Sequence, residues 1–238
     1  MQPASTPHPD AALALWPLPL VAGLMPAGAA LLALGLSMHQ GLVPACNPFI
    51  EGCVSISRAA RHELPNHLFR AIVMPAAVLQ AITWLLAARW LAGCGEPRRW
   101  LAPLGVTAGA ALVLYAAFLG TEGPTYRWLR QYGTVVYFGF TCLCMLLCGG
   151  AIRRLTARAC LAVPAALART LVGLTALLLA LGLTNALFSP LLAEPGKDRL
   201  QNVTEWWAAL VLTGLFLVLG AAWRRCGLSL RLQDGPPG

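Results

Sequence analysis

Charge is scarce in this sequence, and so are the signatures of most chemistry. Only 11% of the residues are charged, while 58% are hydrophobic. A soluble domain carries roughly 25% charged residues. A chain of 238 residues can bury one core, but not apolar runs of about 20 residues repeated along its length. That excludes an ordinary soluble domain. Lysine is nearly missing: Lys197 is the single Lys among 17 basic residues, a compositional bias to which no mechanism attaches. Residues 1–12 hold no Lys or Arg, so a cleavable signal peptide, which needs a positive n-region, is not expected. There is no Gly-rich phosphate loop and no G-x-S-x-G elbow. The middles of the apolar runs lack ionisable groups, where a transporter would place its coupling residues.

What is present is a set of six apolar runs, at about residues 13–38, 67–90, 101–119, 134–152, 163–187 and 204–223. Their lengths suit bilayer-spanning helices. The expected fold is all-α: a polytopic membrane protein, one six-transmembrane-helix bundle with a long first extracytoplasmic loop. Residues 1–12 read as a short disordered tail. Pro17, Pro19 and Pro26 in the first run predict a kink, which membrane helices tolerate when neighbours bond the freed carbonyls. Trp90, Trp100, Trp128, Trp206 and Trp223 fall at span ends, as an aromatic belt would place them. The net charge of +8 is dispersed between the apolar runs. It is therefore a topology signal, with no nucleic acid expected as a partner. Nine basic residues on the side of the termini face seven on the other, which puts both termini in the cytoplasm by the positive-inside rule.

Cys46 to Arg70, CNPFIEGCVSISRAARHELPNHLFR, is the longest polar interruption. It lies in the first loop, outside the cytoplasm in this topology. Cys46 and Cys53 are close enough in sequence for a disulfide there, or for two free thiols. Read as a helix from Ile50, the stretch lines Glu51, Ser55, Arg58 and His62 along one face, with Ser57 and Arg61 beside them. Such a helix would lie at the membrane surface and hold a lipid phosphate by bidentate Arg bonding, or it would be a solvated loop. HELPNH fails as a zinc-protease motif. Its two His are five apart, and Pro65 between them disfavours the shared helical face that the motif needs. Pro65 instead marks the first turn of the second span. Arg70, just inside that span, either snorkels or pairs with Glu205 at the start of the sixth. Cys144 and Cys148 share a helix face, but buried Cys ordinarily serves as a small apolar residue. No metal and no cofactor is expected.

Three segments resemble the Frag1/DRAM/Sfk1 family, which includes GPI-anchor remodelling proteins. Ser55-Ile56-Ser57-Arg58-Ala59 resembles the family's P-S-I-S-x-A segment in the first extracytoplasmic loop. Leu68-Phe69-Arg70 follows at a suitable distance, and Thr204-Glu205-Trp206 resembles the S-E-W-like start of the last span. Val54 stands where the family usually has Pro, and Tyr137 stands in a region that often carries a His. The resemblance implies a lipid-linked role at the extracytoplasmic face.

The leading expectation is binding or regulation of membrane lipids by Glu51, Ser55, Ser57, Arg58, Arg61, Arg70 and Glu205. A second is a lipid acyltransferase or hydrolase, with His62 or His67 as general base and Ser55, Ser57 or a lipid hydroxyl as nucleophile. A third is a small transporter or an accessory subunit. The Ala- and Gly-rich first and third spans would offer small-residue faces for homo- or hetero-oligomer contacts.

Overall fold

The computed structural model describes residues 12–231, so the expected disordered tail lies almost wholly outside the described residues. Six long helices follow the six apolar runs in order: α1 Pro17–His39, α3 Glu63–Gly93, α4 Leu101–Ala117, α5 Pro124–Ala157, α6 Ala165–Phe188 and α7 Gly196–Arg225. Between α1 and α3 lies the short α2, Ile56–Ala59. Five helices are long and apolar enough to cross a bilayer, the pattern of a multi-pass membrane protein. The sixth, α4, is apolar but spans only 17 residues. A short ribbon pairs β1, Ala12–Ala14, antiparallel with β2, Ser229–Arg231. It departs from the all-α expectation only at the edge of the bundle.

Each long helix packs on its neighbours in sequence, and α1 closes the ring against α7. Small residues set the spacing. A Cβ at Gly105 of α4 would run into Trp84 of α3, and one at Gly23 of α1 would lie 2.5 Å from Phe216 Cβ of α7. The small residues expected to make oligomer contacts are thus partly used inside the ring, although Gly28 and Gly35 face open space. α6 buries only the stripe Ala168, Leu171, Thr175 and Leu178, whose spacing is that of one helical face. Its remaining surface is apolar and open, as expected of a helix against lipid.

Pro26 cannot donate an amide hydrogen to the carbonyl of Ala22. Gln80 of α3 supplies the missing bond, its Nε2 donating to Ala22 O at 2.9 Å. A polar side chain deep in the bundle thereby repairs the helix break that Pro26 makes.

At the opposite end from α2, Glu96 gathers Arg98, Arg154 and Arg158. These pairs tie the turn between α3 and α4 to the last turns of α5. The exposed Cys160 and the part-buried Cys94 and Cys226 also lie at this end. The end that carries α2 is called the loop end below.

Two elements are longer than the hydropathy pattern predicts. α5 starts at Pro124, ten residues before the apolar run, and α7 starts at Gly196, eight before its run. The loops expected there are largely helical turns that project from the loop end. Hydropathy marks the part of a helix that suits lipid, not where its hydrogen bonding begins.

Candidate functional site

The first loop is anchored to α7 through its own backbone. Gly52 turns the chain with φ +63, a left-handed conformation that favours glycine. Its carbonyl accepts from Asn202 Nδ2 at 2.7 Å. Trp206 Nε1 donates to Val54 O at 2.8 Å, and Trp207 Nε1 donates to Phe49 O at 3.0 Å. The Phe49 ring packs against both indoles. Cys46 and Cys53 form a disulfide that closes the loop, as one of the two sequence readings has it. Trp206 and Trp223 are buried in the bundle, so neither belongs to an aromatic belt.

On this anchored loop, Ser55 caps α2. Its Oγ accepts from the Arg58 amide at 3.1 Å and lies 3.2 Å from Ser57 Oγ. The Glu205 carboxylate faces the backbone N–H groups of Ile56 and Ser57 in the first turn of α2. The other end of α2 is held by Ser37 Oγ, which donates to Ala59 O at 2.6 Å. Asn66 Nδ2 bridges Ala60 O and Leu119 O at 2.9 and 3.0 Å, fixing the start of α3 and the end of α4 to the same point.

A polar pocket of about 360 Å³ opens between α2 and α7. Ser55, Ser57, Arg58 and Arg61 line one side; Asp198, Gln201, Asn202 and Glu205 line the other. Beneath it, inside the helix ring, lies an apolar cavity of about 70 Å³. Phe69, Val73, Leu112, Leu212 and Phe216 are among its walls, and Tyr115, Tyr137, Gln80, Thr134, Thr213 and Glu205 are its polar members. Gln80 is buried, and its Oε1 has no hydrogen-bond partner among the described residues. Glu205 borders both spaces.

Several sequence expectations fail here. The helix expected from Ile50 is only four residues long. Gly52 breaks any helical run, and Ser55 starts a new one. Glu51 is therefore off the face assigned to it; its carboxylate instead accepts from the Asn47 amide at 2.7 Å. Arg70 borders neither the pocket nor the cavity. It makes no ion pair with Glu205 among the described residues, because Glu205 is turned toward α2. His62 is exposed at the N-terminal boundary of α3, and His67 is exposed on its first turns. Neither borders the pocket that holds Ser55 and Ser57, so the general-base arrangement is not assembled. Among the described residues no group of three His, Cys, Asp or Glu side chains is placed to hold a metal.

Sequence reasoning missed Asp198, Gln201 and Asn202. Their spacing with Glu205, at steps of three, one and three, marks one face of a helix. That signal is present in the sequence once the helix is started at Gly196. Comparison with protein-family models, with curated proteins and with solved structures finds no match.

Proposed function

We propose that this chain is a six-span membrane protein that binds a membrane lipid at its extracytoplasmic end. The headgroup sits in the polar pocket and the first few methylenes of an acyl chain enter the apolar cavity. The observation that carries this reading is that Glu205 borders both spaces. A charged pocket beside an apolar space between helices is the shape of an amphiphile. The pocket alone would suit any polar solute, and the cavity alone would be a packing defect.

The family resemblance supports the reading through the residues that build the pocket. Ser55, Ser57 and Arg58 from the first segment and Glu205 from the last meet there. In this topology α4 is the sixth span, its 17 residues reaching about 25 Å, which a locally thin bilayer or flanking residues accommodate. Both termini are cytoplasmic. The basic residues favour this, since Arg169 near the start of α6 joins the nine already counted on that side. The Cys46–Cys53 disulfide agrees with an oxidising compartment at the loop end.

Binding, not catalysis, is the function proposed, because neither His reaches the pocket. The test is lipid retention by protein extracted in mild detergent. A phospholipid should remain on the wild type and be lost from the Arg58→Ala, Arg61→Ala double variant. Equal retention by a folded double variant refutes the reading.

A further inference from the structure

The four charges of the polar pocket point to the chemistry of its occupant. Arg58 and Arg61 stand on the α2 side, and Asp198 and Glu205 on the α7 side. Among the described residues the ion pairs join Glu96 to Arg98, Arg154 and Arg158, and Lys197 to Glu194. None of the four pocket charges belongs to one. The two guanidinium groups and the two carboxyl groups thus share one pocket with no ion pair between them. Opposite charges that lack partners leave room for a ligand that carries both signs.

We infer, resting on the lipid reading above, that the headgroup is a zwitterion with a phosphate and a primary ammonium, as in phosphoethanolamine. The phosphate lies toward Arg58 and Arg61, whose forked donors match phosphate oxygens. Ser55 and Ser57 hydroxyls add neutral donors on that side. The ammonium lies toward Asp198 and Glu205, with the Gln201 and Asn202 side chains between them. Glu205 faces two backbone N–H groups of α2. A carboxylate accepts about four hydrogen bonds, so it retains capacity for an ammonium beside them. A quaternary ammonium is disfavoured for two reasons. It has no N–H to donate to the carboxylates, and no aromatic ring lines the pocket to receive it. An anionic headgroup without the amine would leave Asp198 and Glu205 facing negative charge.

The test uses the purified full chain and short-chain phospholipids with identical acyl chains, differing only in headgroup: ethanolamine, choline, glycerol or none beyond phosphate. Free phosphoethanolamine is the fifth probe. The ethanolamine lipid should bind about tenfold more tightly than the choline and glycerol lipids. Asp198→Asn, at an exposed position, should remove that preference over the glycerol lipid while the protein stays folded. Free phosphoethanolamine should bind at least about tenfold more weakly than its lipid, because it leaves the cavity empty. Equal binding of all four lipids, or preference for an anionic one, overturns the headgroup assignment and leaves the lipid reading standing. Free phosphoethanolamine binding as tightly as the lipid keeps the headgroup chemistry but overturns the lipid reading. Failure of every probe to bind overturns both.

Discussion

Replacing Gly52 by Ala tests how the pocket is built, and the structure sets the size of the effect. Gly52 has φ +63, and a non-glycine residue in the left-handed region loses about 1–2 kcal/mol. The added Cβ would also lie 2.5 Å from Arg199 O, 2.8 Å from Arg199 Cγ and 2.9 Å from Val203 Cγ2. The nearest of these is α7 backbone, which cannot swing aside. Overpacking of this kind is destabilising by about 1–3 kcal/mol. The total is about 2–5 kcal/mol. For a chain of this length, a melting temperature falls by roughly 2–4 °C per kcal/mol, so Gly52→Ala should melt roughly 4–20 °C lower. It should also loosen the loop from α7 and weaken lipid binding. Gly41→Ala is the matched control. Its φ is +69, but nothing lies within 4 Å of the added Cβ. Only the backbone penalty remains there, and the fall should be roughly 2–8 °C. Thermal unfolding in detergent, followed by tryptophan fluorescence, measures both. Equal shifts for the two variants would show that the first loop does not pack on α7 at Gly52.

Membrane-impermeant maleimide should leave the protein unlabelled in intact cells. After permeabilisation Cys160 should react first, since burial pushes the Cys94 and Cys226 thiols up and thins their thiolate fraction. After mild reduction, Cys46 and Cys53 should label without permeabilisation; labelling of Cys160 in intact cells would invert the topology. Gln80→Leu should destabilise the protein by about 1–3 kcal/mol by stranding the Ala22 carbonyl. The loss should shrink in a Pro26→Ala background, where the restored amide can bond Ala22 itself. Additive losses in this double-mutant cycle would disconnect Gln80 from the Pro26 break.

The sequence made the helices easy to find, because a 20-residue apolar run has few alternatives. All six apolar runs correspond to long helices, and five of these are long and apolar enough to cross a bilayer. The same signal was blind to the polar ends of α5 and α7, and that blindness hid half the pocket. Asp198, Gln201 and Asn202 share a helical face with Glu205, but a loop reading of 188–203 erased the periodicity. The other half was legible. Ser55, Ser57, Arg58 and Arg61 lie together because Ser55 caps a helix there. Glu51 was lost to Gly52, whose left-handed turn ends any helix begun at Ile50. Pairing of Arg70 with Glu205, one of the two readings of Arg70, rests on depth. Depth says nothing of azimuth, and the Glu205 carboxylate faces the first turn of α2. The contacts between the loop and α7 span about 150 residues of chain, and no local pattern encodes a backbone carbonyl meeting a distant indole.

The most direct measurement is native mass spectrometry of the detergent-solubilised protein beside the Arg58→Ala, Arg61→Ala variant, with circular dichroism confirming equal helix content. An exposed ion pair between an Arg and a phosphate contributes up to about 1 kcal/mol, so the two together contribute about 2 kcal/mol, roughly 30-fold in affinity. A lipid site between α2 and α7 predicts one phospholipid retained on the wild type and released roughly 30-fold more readily by the variant. A wild type that carries no phospholipid, or a folded variant that retains it as firmly, would contradict that site.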